Sequence, residues 1–259
     1  MYKRFKTFPI IIAMVVSVAV SGCKTTGSTT KEETVKEIMP GLLQGYLSKE
    51  EMPNSLALIP PPPEEGSVAF ALDQEYAKKA VESSDTARFG LATSDAHLGF
   101  PAAVKSFEST VGIEISETKT PKLYMLMRRV LTDAGLSTYT AKMQYKRKRP
   151  FMINNTPTCT PADEVALRKD GSYPSGHTAI GWAWALVFSE IFPGKTNAIL
   201  QRGYAFGESR VICNVHWHSD VEMGRVIGAA TVASLHANPT FQRDLAAAKE
   251  EVKKVLPVK

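Results

Sequence analysis

Beyond residue 23, the 259-residue chain has no run of 18 uninterrupted apolar residues. That excludes an integral protein of several helical spans, since each span needs about 20. Strand-like alternation of apolar and polar residues is scarce, which argues against an all-β body. No segment repeats, so no repeat architecture is indicated. Net charge is also in short supply. The formal value is +5, but Lys3, Arg4 and Lys6 stand ahead of any acid, and removing residues 1–22 leaves +2. That is too little for the global field to recruit nucleic acid. A hydrophobic content of 44% and a charged content of 22% then describe an ordinary globular protein with a core of useful size.

The N-terminus carries an export pattern. Its three cations precede an apolar run from Phe8 to Val20 and the small residues Ser21 and Gly22. The run is short for a membrane span and matches the apolar region of a secretory signal. Val20-Ser21-Gly22-Cys23 resembles the lipobox of bacterial lipoproteins. The resemblance implies that residues 1–22 are a signal peptide and that Cys23 becomes a lipidated N-terminus. The expected location is the cell envelope or periplasm, anchored to a membrane through Cys23. Lys24 in the next position is compatible with an outer membrane. Cys159 and Cys213 remain. In an oxidising compartment they can pair, or they can stand as two small buried residues; spacing alone does not decide.

Residues 24–34 are polar and aperiodic, as expected of a tether within an N-terminal segment over 23–55. Pro60–Pro63 cannot continue a helix and reads as an extended entry to a main body at 56–259. From there the pattern is helical. Thr120-Pro121 is a helix start, followed by Leu123, Leu126, Met127, Val130, Leu131 and Ala134 at helical spacing, with Gly135 as the end. A second helix is expected from Ser175 or Gly176 to Phe192. It is apolar on all sides, which marks a buried central helix. A third is expected from about Ser219 to His236, and a last one from Asn238-Pro239 to about Val255. The fold class is all-α, in one helical domain.

Three stretches gather cations, histidines and turn residues that a helical core does not need. They are Lys142 to Arg149-Pro150, Ser172 to His177, and Ser209-Arg210 to His216-Trp-His218-Ser-Asp220. Pro174-Ser175-Gly176 opens the apolar helix, and a helix N-terminus offers free N–H groups and a positive dipole end to an oxyanion. Ser175 adds a hydroxyl, and Gly176 lets an anion approach closely. His216 and Asp220 are four apart, so the carboxylate can fix one ring nitrogen and leave the other with a free lone pair. Arg210, Lys142 and Arg149 supply donors that suit phosphate oxygens. Lys146, Arg147 and Lys148 read as a solvated basic loop.

The order Lys142, six residues, Arg149-Pro150; Pro174-Ser175-Gly176-His177; Ser209-Arg210, five residues, His216, three residues, Asp220 resembles the three-part signature of the type 2 phosphatidic acid phosphatase superfamily. Gly171 to Thr178, Gly207 to Cys213 and the Pro60–Pro63 entry resemble its bacterial class A non-specific acid phosphatases. The resemblance spans about residues 56–240. It implies an all-α acid phosphatase that hydrolyses phosphomonoesters without a metal or other cofactor. His216 would be the nucleophile, giving a phosphohistidine, with Asp220 orienting it. His177 would be the general acid and then the base. Lys142, Arg149, Ser175, Gly176 and Arg210 would hold the phosphoryl oxygens. An acidic pH optimum is expected because His177 must be protonated while His216 is neutral; family members often form homo-oligomers, but the sequence does not decide the oligomeric state of this chain.

Four rivals remain to be set against this. A metal phosphatase using His216, His218 and Asp220 suffers from loose spacing and from the surrounding cations, which repel a divalent ion. His218 is expected at the rim. An integral lipid phosphate phosphatase needs spans that the chain lacks after Cys23. A vanadate-dependent haloperoxidase shares the pocket, but the class A wording favours the phosphatase. A non-enzymatic envelope lipoprotein would leave eight signature positions without work.

Overall fold

The computed structural model describes residues 35–82 and 87–256; Cys23, the export pattern and the 24–34 tether lie outside the described residues. The described chain opens with an antiparallel hairpin, β1 (Glu37–Met39) and β2 (Leu42–Leu43), turned at Gly41 with φ +79°. Among the described residues, every regular element after it is a helix. The helices are α1 (Ser55–Leu58), α2 (Val68–Glu82), α3 (Ala87–Asp95), α4 (Ala102–Lys105), α5 (Glu108–Val111), α6 (Pro121–Leu136) and α7 (Tyr139–Tyr145). There follow α8 (Phe151–Asn154), α9 (Glu164–Leu167), α10 (Gly176–Ile191), α11 (Thr196–Ile212), α12 (His218–His236) and α13 (Pro239–Val255). The all-α expectation holds, and the two short strands only pin the N-terminal segment.

α10 is the central helix, as its apolar surface predicts. Ala179, Ile180, Ala183, Trp184, Ala185, Val187 and Phe188 are all buried, and α11, α12, α6 and α13 pack around it. Trp184 donates its indole N–H to the Met127 carbonyl of α6 at 3.0 Å, so its one polar atom is satisfied inside the core. Truncating a side chain this large at such a position costs about 3–5 kcal/mol. α12 crosses the N-terminal end of α10. A Cβ on Gly224 would lie 2.6 Å from the Ser175 carbonyl, so only glycine lets the two backbones meet there. That crossing sets the start of α12 beside the start of α10.

α6 buries every apolar position expected of it, and it runs one residue past Gly135. Its N-terminal cap does not come from the Thr120 side chain. Glu251 of α13 accepts the Lys122 and Leu123 N–H groups at 3.0 and 2.9 Å. α13 begins at the Asn238 cap, whose side chain accepts from Thr240 and Phe241 at 3.0 and 3.1 Å, and buries Phe241, Leu245, Ala248 and Val252. Residues 42–47, ahead of the sequence-based boundary at 56, dock on α6. Asp133 accepts the Tyr46 and Leu47 N–H groups at 2.8 and 3.2 Å, and Thr132 donates to the Leu43 carbonyl at 2.6 Å. No helix among the described residues is long and apolar enough to cross a membrane.

Candidate active site

The starts of α10 and α12, the ends of α7 and α11, and the loops between them converge. Ser175 is the N-cap of α10, and its Oγ accepts from the Thr178 N–H at 3.3 Å and the Thr178 hydroxyl at 2.9 Å. The Ser175 hydroxyl proton is therefore free to donate outward. The N–H groups of Gly176 and His177 stand in the first turn, where no intrahelical acceptor exists. A Cβ on Gly176 would meet nothing closer than the Thr138 hydroxyl at 3.5 Å. The backbone is bare at that point, and the helix dipole points its positive end there.

Three buried cations face this turn. Lys142, in the last turn of α7, donates to the Gly171 carbonyl at 2.5 Å and pairs with Asp170 at 3.5 Å. Burial, and then the Arg149 charge, push its ammonium down to about 8. Gly171 is required for this approach, because a Cβ there would lie 2.8 Å from the Lys142 carbonyl. Arg149 donates to the Leu167 and Val215 carbonyls at 3.0 Å each and pairs with Asp170 at 3.2 Å. Arg210, on α11, differs from both. It is only 2% exposed, yet its Nε and Nη1 are buried with no hydrogen-bond partner among the described residues. Burial and the neighbouring Arg149 charge push its guanidinium down from the ordinary range. A buried, unpartnered guanidinium is costly and calls for an anion.

The two histidines have fixed orientations. His216 lies on the turn between α11 and α12, where its N–H and that of Val215 bond the Arg210 carbonyl at 3.2 Å. Its Nδ1 faces Asp220 Oδ2 at 3.2 Å and its Nε2 faces Arg149 Nη1 at 3.1 Å. A carboxylate must receive a proton and a guanidinium must donate one. Nδ1 therefore carries the hydrogen, and the Nε2 lone pair faces the cations. His177 donates Nε2–H to the Ala96 carbonyl at 2.9 Å, which leaves Nδ1 as its working nitrogen. Burial, followed by Arg210, holds His177 well below the ordinary imidazole range; burial, followed by Arg149 and Lys142, does the same for His216. Both surroundings therefore favour the neutral imidazole.

All eight signature residues thus come together. One expectation fails. Arg147 is not part of a solvated loop: its side chain is 9% exposed and pairs with Asp220 Oδ1 at 2.6 Å and Asp73 Oδ2 at 2.7 Å. It also donates to the Ser219 hydroxyl at 2.8 Å and lies over the Trp217 ring, 5.3 Å from its centroid. Sequence reasoning missed Asp170, Asp73 and the Ala96 carbonyl as well. Asp170 stands beside the Gly171 motif and was within reach; Asp73 and Ala96 gave no local signal. Away from the cations, His218 stacks on Tyr76, with ring centroids 3.9 Å apart. Its potential ligand atom lies within 4.8 Å of those of Glu208 and Glu222, but Arg225 bridges both carboxylates and already serves as the cation of that cluster. Cys159 and Cys213 are bonded, Cα atoms 4.7 Å apart, which resolves the open pairing and ties the 159 loop to the turn that carries His216.

Residues 123–243 match the model of the PAP2 superfamily. The chain is 46% identical over 211 residues to a non-specific acid phosphatase of Providencia stuartii, covering 81% of this chain and 85% of the relative. It is 41% identical to the non-specific acid phosphatase of Salmonella typhimurium over 81% of this chain and 84% of the relative. An acid phosphatase of Zymomonas mobilis is 38% identical over 77% of this chain and 75% of its own.

Proposed function

The chain belongs to the bacterial non-specific acid phosphatases of the PAP2 superfamily, and from that premise we propose that it hydrolyses phosphomonoesters through a phosphohistidine on His216, without a metal ion. The observation that carries this reading is the Arg210 guanidinium, buried with Nε and Nη1 unpartnered among the described residues, beside the first turn of α10 and a histidine lone pair. In the proposed reaction, a phosphoryl group lies against Lys142, Arg149, Arg210, Ser175 and the Gly176 N–H. His216 Nε2 attacks phosphorus in line, and the P–O bond to the leaving alkoxide breaks. The proton on His177 Nδ1 passes to that oxygen and an alcohol departs. Water then attacks the phosphohistidine, gives its proton to His177 and releases phosphate. Asp220 holds the Nδ1–H of His216 throughout and balances the charge that builds on the ring. Three cations take the role that a divalent ion fills in metal phosphatases.

The reading is tested by incubating EDTA-treated enzyme with a 32P-labelled aryl phosphate and quenching in alkali, where phosphohistidine survives. Label retained on the wild type and absent from His216→Ala supports it; activity abolished by EDTA overturns it.

The pH dependence follows from the two depressed histidines. At neutral pH His177 alone is a poor source of the proton for the leaving group, because burial and Arg210 hold it well below its ordinary range. The proton arrives with the substrate, whose second ionisation lies near pH 6. Activity is therefore expected to fall as pH rises through about 6, where the monoanion disappears. At the acid end it falls once His216 itself is protonated, below the ordinary imidazole value of about 6.5. A kcat/KM profile with a phosphonate-matched buffer series checks this; a plateau extending above pH 8 contradicts it.

The envelope location is proposed from the sequence pattern alone, with Cys23 as the lipidated residue. Cys23→Ser is expected to move the enzyme from the sedimenting membrane fraction to the soluble fraction, or to leave it as an uncleaved precursor. A lipidated, membrane-bound Cys23→Ser protein would remove Cys23 as the anchor.

A further inference from the structure

Behind the nucleophile runs a chain of alternating charges that begins far from the signature. Asp73 sits in α2 and is almost completely buried. Its Oδ1 accepts the Ser219 N–H at 2.8 Å and its Oδ2 accepts the Ser219 hydroxyl at 2.6 Å, in the first turn of α12. The same Oδ2 receives Arg147 Nη2 at 2.7 Å, while Arg147 Nη1 reaches Asp220 Oδ1 at 2.6 Å. Asp220 Oδ2 then accepts the Trp217 N–H at 2.9 Å and His216 Nδ1 at 3.2 Å. Each oxygen of Asp220 thus has its own task, and the Arg147 fork decides which one is left for the histidine.

We propose that Asp73 and Arg147 are positioning residues for the nucleophile: Arg147 fixes and partly neutralises Asp220, and Asp73 fixes and partly neutralises Arg147. This rests on His216 being the nucleophile, as argued above. The physical reason lies in the demands on that histidine. It must stay neutral to attack, and it must later release phosphorus. A carboxylate with no other partner would pull a proton onto the ring and hold the phosphorylated ring too firmly. Sharing Asp220 with a guanidinium keeps the orienting bond and weakens the charge. Asp73 in turn limits the positive charge that Arg147 brings to a site already holding three cations. It stands well ahead of residue 123, where the family match begins.

The charged groups that face His216 are Asp220 of α12, Lys142 of α7, Arg149, Arg210 of α11 and His177 of α10. Asp170 faces the same cations from the rim, and Arg147 and Asp73 stand behind Asp220. Removing one member behind Asp220 leaves the others in place, so the sign of its effect can be read.

The experiment measures kcat/KM against pH for Arg147→Gln and Asp73→Asn, together with the alkali-stable phosphoenzyme label. Arg147→Gln frees the Asp220 charge, so the acid limb is expected to move up by about one pH unit. Asp73→Asn leaves Arg147 wholly on Asp220, so the limb is expected to move down. A purely structural role would lower activity in both variants without opposite shifts. Unmoved limbs, or shifts of the same sign, overturn the proposal. If Arg147→Gln does not fold, Arg147→Lys carries the test beside Asp73→Asn: it keeps the charge and loses the fork, so kcat should fall while the limb stays near wild type. A limb displaced upward in Arg147→Lys also overturns it. Failure of the wild type to take up label would instead count against the phosphohistidine reading.

Discussion

Replacing His216 with alanine is expected to lower kcat on an aryl phosphate by about 10⁴-fold or more, because the covalent route is lost and water must attack in its place. The residual rate would come from the cations and the helix start alone. His177→Ala is expected to behave differently, and the difference depends on the leaving group. A nitrophenolate departs without protonation, so loss on p-nitrophenyl phosphate should be mild in the first step. An alkyl phosphate needs the proton, and there the loss should reach about 10²–10⁴-fold. Because His177 also serves the attacking water, His177→Ala should accumulate phosphoenzyme on the nitrophenyl ester and show a burst of nitrophenol. Near-normal turnover by His216→Ala would sink the mechanism. Equal losses of kcat/KM on both leaving groups in His177→Ala, where the shared second step does not enter, would remove the acid role while leaving the nucleophile untouched.

Much of this site could be read from sequence because it is built on local rules. Ser175 caps α10 and His177 follows in its first turn because a polar triplet meets an apolar run. Asp220 stands in the first turn of α12, where its carboxylate accepts the Trp217 N–H and so meets His216 just ahead of the helix. The buried faces of α6 and α10 follow from spacing, and Asn238 announces α13 through the proline after it. What stayed illegible is what tertiary structure supplies. Arg147 lies in a run of four basic residues, which reads as solvent-facing, and its burial depends on Asp73, 74 positions away in the chain. The α6 cap comes from Glu251, 129 positions after Lys122, so no pattern around Thr120 could reveal it. The Cys159–Cys213 bond needed a Cα separation that spacing does not encode. The lesson concerns charge. A cation in a basic run is solvated unless a carboxylate elsewhere in the chain claims it, and only the fold identifies that carboxylate.

Arg210 offers the second large effect, with activity and stability moving in opposite directions. Its guanidinium is buried with two nitrogens unpartnered among the described residues, and Asp95, the carboxylate that acts on it most, is already engaged: it pairs with Arg202 and accepts from the Ser209 hydroxyl. In the empty enzyme that charge is a penalty, and an unsatisfied buried donor costs about 1–3 kcal/mol, more when charged. Arg210→Met keeps the volume and removes the charge. The empty variant is expected to gain about 1–3 kcal/mol, which raises Tm by several degrees in a domain of this size. Its kcat/KM should fall by about 10²–10³-fold, since a donor to the developing charge has gone. Inorganic phosphate supplies the decisive comparison. Wild type should gain about 2.7 kcal/mol when phosphate reaches a hundred times its Kd. Over the same concentrations, Arg210→Met should show little gain, because the partner that phosphate would satisfy is missing. A variant that melts lower than wild type, yet still responds fully to phosphate, would show that Arg210 supports the fold and not the anion. Arg210→Lys separates charge from geometry: a single ammonium restores attraction to phosphate but not the two-nitrogen grip, so its affinity should recover further than its turnover.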